Sequence, residues 1–113
     1  MRVDARVYVL KRALAPRLLL WSLGVGESIR NIAISIEDAF NDPFASVSIG
    51  TEADPELLMK KSECVVQVAG EYRAEETYLV ASGKMQIYVF IEPKDSTSGI
   101  ARLFFEVATG PVP

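Results

Sequence analysis

Apolar side chains recur on every second residue through much of this chain. Ile32, Ile34 and Ile36 alternate with Ala33, Ser35 and Glu37, and further on Val47 and Ile49 are flanked by Ser46 and Ser48. A period of two places one set on a dry face of a strand and the other on the opposite face. β-Branched side chains suit such a half-buried, pleated surface. Asn41-Asp42-Pro43 separates the two runs: Asn and Asp bond back to local backbone, and proline removes an amide donor. The pattern predicts an antiparallel hairpin over residues 28–51, with the isoleucines at the core of the fold.

The same alternation continues on both sides. Val3, Ala5, Val7 and Val9 alternate with Arg2, Asp4, Arg6 and Tyr8 in a first strand. Pro16 ends ladder pairing, and Leu18 to Leu23 forms a denser apolar strand, expected to be covered on both faces. Gly24-Val25-Gly26 is a turn; a phosphate loop would need a helix and a Gly-Lys-Ser end to follow it. Asp54, Pro55 and Glu56 are a cap, a first helical position and an acid at the positive dipole end. They predict one short helical turn near 54–61, with Leu57, Leu58 or Met59 packing inward. Val65, Val66 and Val68 form a strand that turns at Ala69-Gly70-Glu71, and Thr77 to Ala81 forms another. Met85, Ile87, Val89 and Ile91 alternate with Gln86, Tyr88 and Phe90; Ala101, Leu103, Phe105 and Val107 alternate with Arg102, Phe104 and Glu106.

About eight short strands with almost no helix predict an all-β chain, an antiparallel β-sandwich or barrel. The inward set is Ile32, Ile34, Ile36, Val47, Ile49, Ile87, Val89, Leu103 and Phe105. The length, 113 residues, suits a single domain over 1–113. Residues 1–16 are either an extended arm or an edge strand guarded by its charges, and 109–113 are a flexible tail.

Composition changes this picture in one respect. Half the residues are apolar and the mean hydropathy is +0.20, high for a small soluble monomer. Phe90 and Phe104 lie opposite Val89 and Phe105, so two strands are apolar on both sides, and a single sandwich core uses only one. A second subunit is the simplest cover, so a homo-oligomer is expected, a dimer ahead of a trimer.

The charge pattern and candidate chemistry mostly exclude. The net charge is −3 and the lysines and arginines are scattered, leaving no basic stripe for nucleic acid. The leucines at 18–20 are too few to span a bilayer, and the small residues precede them, the reverse of a signal peptide. Histidine is absent, which removes Ser-His and Cys-His pairs and most zinc sites. Cys64 is the single cysteine and reads as a small buried apolar residue. No motif for a cofactor is present. Glu37, Asp38 and Asp42 could gather around calcium, although loop acids more often serve turns. Trp21, Tyr72, Tyr78 and Tyr88 could stack on sugars, against core or interface packing. Catalysis is not expected.

The runs 32–40, 47–51 and 54–59, the Ala69-Gly70-Glu71-Tyr72 turn and the stretch 96–103 resemble small virion proteins of tailed bacteriophages. The chain is similar to head decoration, or cement, proteins of short-tailed phages and to domains attached to phage fibres, from about Ile29 to Val107. The resemblance implies a jelly-roll-like sandwich without catalysis, made in the host cytoplasm. It would be an oligomer on the outer surface of the capsid, bridging copies of the major capsid protein. The alternative is a carbohydrate-binding or fibre-attachment module, and a small hydrolase would need a cleft lined by paired acids. Contact residues are expected in the N-terminal segment, at Arg2, Arg6, Tyr8, Lys11 and Arg12, and at Phe90 and Phe104.

Overall fold

The structure, a computed structural model, describes residues 2–11, 17–74, 79–80 and 83–109. Its strands are β1 (Arg2–Lys11), β2 (Arg17–Leu23), β3 (Ser28–Asp38), β4 (Ser46–Gly50), β5 (Gly70–Arg73), β6 (Leu79–Val80), β7 (Met85–Glu92) and β8 (Ile100–Thr109). The larger sheet runs β1-β8-β3-β5, with β6 also on β3, and the smaller runs β2-β7-β4. Every pairing is antiparallel. This is the antiparallel β-sandwich that the alternation predicts.

All nine side chains expected inward are buried between the sheets. Ile34, Leu103 and Phe105 come from the larger sheet and Ile49, Ile87 and Val89 from the smaller, and they meet in one apolar cluster. In β3 the register against β8 slips twice, between Arg30 and Ala33 and between Ile36 and Asp38, and at the first slip Asn31 takes φ +55°. Asparagine tolerates that left-handed conformation better than most residues. The bulge lets Ile29 and Ile32 both point inward although three positions separate them.

The hairpin expected over 28–51 does not form. β3 pairs with β8, β5 and β6, whereas β4 pairs with β7 in the other sheet. Residues 39–45 therefore cross the core instead of turning at its edge. The loop is itself apolar where it crosses: Phe40 and Ala45 are buried, and the Phe40 amide donates to the Val66 carbonyl at 2.8 Å. Phe40 also lies against Gly99, where a Cβ would sit 2.7 Å from the ring and where φ is +146°. Both the space and the backbone there call for glycine.

Three more expectations are corrected. β1 forms, but with its faces exchanged: Leu10 is buried and Tyr8 packs on the core, while Val7 and Val9 are 58% and 47% exposed. Tyr8 and Leu10 outbid the valines because they fill the cleft beside β2 and the tyrosine hydroxyl finds a partner there. β2 is covered on one face only, with Leu19 exposed. Residues 65–68 are a turn, not a strand, closed by Val68 N donating to Val65 O at 3.1 Å. The strand begins at Gly70 instead, since Val66 O is taken by Phe40. The strand expected over 77–81 is described only at Leu79–Val80; Tyr78 lies outside the described residues.

The expected short helical turn is a 3-10 turn, Lys61–Glu63. Ahead of it Asp54 caps a turn, its Oδ1 accepting from Glu56 N at 3.2 Å. Leu58 and Met59 are buried, as the pattern predicts. Their amides bond to Ile49 O at 2.9 and 3.0 Å, which draws this stretch alongside β4 in place of a longer helix.

Replacing Ile34 by Asp should abolish cooperative folding. Ile34 is fully buried, and an unpaired buried charge costs several kcal/mol against a total stability of about 5–15 kcal/mol. Circular dichroism through a thermal ramp is the check, and a soluble mutant with a wild-type melting transition would contradict the packing.

Candidate interaction surfaces

The N-terminal residues expected to make contacts go to two different places. Arg2 and Lys11 occupy the ends of β1, opposite Thr109 and Ile100 of β8; Arg12 lies outside the described residues. Arg6 and Tyr8 turn toward the cleft between the sheets. The Arg6 guanidinium lies 4.7 Å from the centre of the Trp21 ring. Tyr8 stacks on Phe105 at 5.9 Å, and its hydroxyl donates to Leu20 O at 3.2 Å. Together they pin β1 to β2 across the open side of the sandwich. A cation over an indole face adds to this, by about 0.5–1 kcal/mol at an exposed site.

Phe90 and Phe104 are both half-buried, but on opposite outer faces of the molecule. Phe104 sits beside Val7 on the larger sheet. An Arg102–Glu37 ion pair and an Asn31–Glu106 hydrogen bond flank it on neighbouring positions of the same face. Phe90 is on the smaller sheet, beside Tyr88 at 6.0 Å. That second face has a cover the sequence pattern did not disclose. Residues 51–60 fold back over it so closely that a side chain at Gly50 would overlap the backbone of Asp54, Pro55 and Leu57. Ion pairs anchor both ends of this strap, Glu52 to Arg17 and Lys61 to Glu92. Ser48, outward-facing by register, is thereby fully buried.

The loops at one end form a rigid tip. Asn41 and Thr97 exchange two hydrogen bonds, at 2.7 and 2.8 Å. Asp42 accepts from Phe44 N at 2.7 Å and from Asp95 N at 3.0 Å, so its carboxylate serves the turns. The Gln67 amide reaches the carbonyls of Asp42, Pro43 and Ala45. From this locked frame Phe44 projects, 78% exposed. Phe44 escaped sequence reasoning because a lone aromatic in a polar loop has no periodicity; its position next to the Asn-Asp-Pro turn was the only signal.

Of the aromatic residues considered for sugar stacking, Trp21 faces the cleft under Arg6 and Tyr72 bonds to Val68 O. Tyr88 lies on the smaller sheet, where the Arg17 guanidinium covers its ring at 5.0 Å. The described ones make no common platform. An open groove of ≈ 690 Å³ lies near Tyr88 and Gln86, and Glu27 and Glu52 both line it. Each carboxylate already has a structural partner: Glu27 accepts from Gly24 N at 2.6 Å, and Glu52 pairs with Arg17. Glu37, the first of the three acids considered for calcium, pairs with Arg102.

No protein-family model matches the chain, and no curated protein matches it. Solved structures do share its fold. One is a chain of the acidic stable capsid structure of Helicobacter pylori bacteriophage KHP30, with TM-score 0.68 and 12% identity, covering 93% of this chain and 86% of that one. Another is a chain of the cyanophage Pam1 capsid asymmetric unit, with TM-score 0.59 and 11% identity, covering 94% and 82%.

Two measurements check the geometry of these surfaces. Gln67→Ala should lower stability by about 1 kcal/mol, since it removes hydrogen bonds to the part-buried carbonyls of Asp42 and Ala45, and should speed amide exchange in residues 41–45. Acid should loosen the strap. Burial pushes the Glu92 carboxyl up, but Lys94 and Lys61 outweigh it and hold the group below its ordinary 4.5. A lowered folded pKa contributes stability that is full above the unfolded value and is lost as pH falls through the folded one. Glu92→Gln should therefore flatten a small acid-side slope in the melting temperature below pH 4.5, small because the pairs are exposed.

Proposed function

We propose that this chain is a virion structural protein of a tailed bacteriophage, a decoration or cement protein that binds the capsid exterior. The observation that carries the reading is the fold likeness to chains of two phage capsid structures, which extends over most of both partners' lengths. In this reading the major capsid protein is the partner. The working form is a homo-oligomer, a dimer ahead of a trimer, and no catalysis is involved. A shell offers many identical sites, and a symmetric oligomer engages two of them at once. Linking two weak contacts raises the overall avidity by ~100-fold or more where the geometry lets both engage.

The tip formed by residues 39–45 and 93–99 supports a contact made by loops. Its hydrogen bonds hold the backbone around Phe44 in place before any partner arrives, so less backbone ordering entropy is lost on binding. An exposed aromatic surrounded by polar groups can act as an anchor when a partner's pocket desolvates it. An N-terminal arm reaching out to the shell fits less well, because Arg2–Lys11 pairs with β8 along its whole length.

Co-sedimentation with emptied phage shells tests the proposal. Wild-type protein should bind, and Phe44→Ser should bind about thirtyfold more weakly, the effect of a ~2 kcal/mol hot spot, with no change in melting temperature. A wild-type chain that leaves shells bare would sink the decoration reading. Equal binding by Phe44→Ser would move the contact elsewhere.

A further inference from the structure

The strap over the smaller sheet has two unequal halves. Leu58 and Met59 are buried and their amides bond to Ile49 O, so this half belongs to the core and to the edge of β4. Residues 52–57 are all exposed. Their hydrogen bonds stay almost entirely within the segment. Thr51 N and Leu57 N donate to Asp54 O at 2.9 and 3.2 Å, Asp54 N donates to Thr51 Oγ1 at 3.0 Å, and Glu56 N donates to Asp54 Oδ1. Lys61 N donates to Glu56 Oε1 at 3.0 Å, which ties the segment to the 3-10 turn. Among the described residues, the one polar tie to the sheet beneath is the Glu52–Arg17 ion pair.

The underside of the strap makes contact by shape, not by polar bonding. Backbone atoms of Asp54, Pro55 and Leu57 fill the space a Gly50 side chain would need, the nearest lying 2.2 Å from an added Cβ. Ser48 is fully buried under the strap, and its Oγ has no hydrogen-bond partner among the described residues. A buried hydroxyl left unpaired costs free energy that entering water would recover.

We propose that residues 51–57 are a hinged flap, latched shut by Glu52 on Arg17, and that this flap is the movable wall of the groove beside Tyr88. Leu58 N bonds to Ile49 O at 2.9 Å, so the two ends of the segment meet at the edge of β4 and it swings about a single line. A surface loop with close ends and its own internal bonds moves as one unit. Opening therefore breaks the latch and the packing on Gly50, while the ladder between β4 and β7 stays whole. Arg17 stands at the border, its guanidinium 5.0 Å from the centre of the Tyr88 ring. Thr51, Glu52 and Ala53 form one side of the groove, and Ser22, Gln86 and Tyr88 the other. Lifting the flap widens the groove toward Ser48. This device stands whether or not the chain binds a shell.

Relaxation dispersion at the backbone amides of the full chain tests the flap, because it reads microsecond-to-millisecond exchange. Exchange should appear at Glu52, Ala53 and Glu56 and be absent from Ile49 and Met59. An exposed ion pair is a weak latch, so Glu52→Gln should raise the open population about two- to fivefold. Salt at about 1 M should do the same in the wild type by screening the pair, and should add nothing in Glu52→Gln. Ser48→Ala, which strands no hydroxyl, should lower the open population at least twofold. Gly50→Ala should move the flap amides toward their open-state shifts; if that variant does not fold, the other variants decide alone. Absence of exchange from residues 51–57 overturns the proposal. So does an open population that Glu52→Gln leaves unchanged, or exchange shared equally by Ile49 and Met59, which would mean that the whole strap unzips.

Discussion

Everything in this molecule depends on the apolar layer between its two sheets. Ile34, Leu103 and Phe105 on one side and Ile49, Ile87 and Val89 on the other lose essentially all contact with water. Each fully buried side chain of this kind contributes roughly 1.5–3 kcal/mol. That layer is the large favourable term set against the entropy of ordering the chain. The crossing loop at 39–45, the strap over the smaller sheet and the Tyr8 pin at the cleft all serve to seal its margins.

How far the sequence disclosed this arrangement follows from what a period of two can say. Alternation in β3, β7 and β8 identifies strands and their inward residues, because one face of each is strongly apolar and the other is not. It does not identify partners. Ile36 and Val47 belong to neighbouring runs, and adjacency suggested a hairpin, yet Phe40 and Ala45 made the linker a core-crossing arch. In β1 both faces could be buried, and the valines looked drier than Asp4, Arg6 and Tyr8. The decision came from Trp21, Leu20 and Phe105, residues far away in the chain that offer a ring, a carbonyl and a stacking surface. The surface sites were least legible, since Phe44 and the Arg17–Glu52 pair acquire meaning only from the loops and strap around them.

The two outer faces show how differently one chain can treat similar sequence patterns. Phe90 and Phe104 have equivalent places in their strands, but the smaller sheet is roofed by residues 51–60 while Val7 and Val9 stay open beside Phe104. The sandwich is therefore asymmetric: one side is finished by its own backbone, and the other offers an apolar face next to an unbroken edge. The loop tip lies at an end of the strands, away from both faces.

The position of β8 also governs the order in which the fold can be made. It lies between β1 and β3 in the larger sheet although it follows both in sequence. While the chain is being synthesised, β1 and β3 leave the ribosome with the strand that should separate them still unmade. Pairings that span most of the chain, such as Arg2 with Thr109, form late and slowly because a long loop must close first. Until then β3 has only the short β5 and β6 to pair with, and the unfinished chain is at its most vulnerable to aggregation. A polypeptide built this way is safest when translation through residues 100–109 is fast, or when a chaperone holds the earlier strands apart until β8 can slide between them.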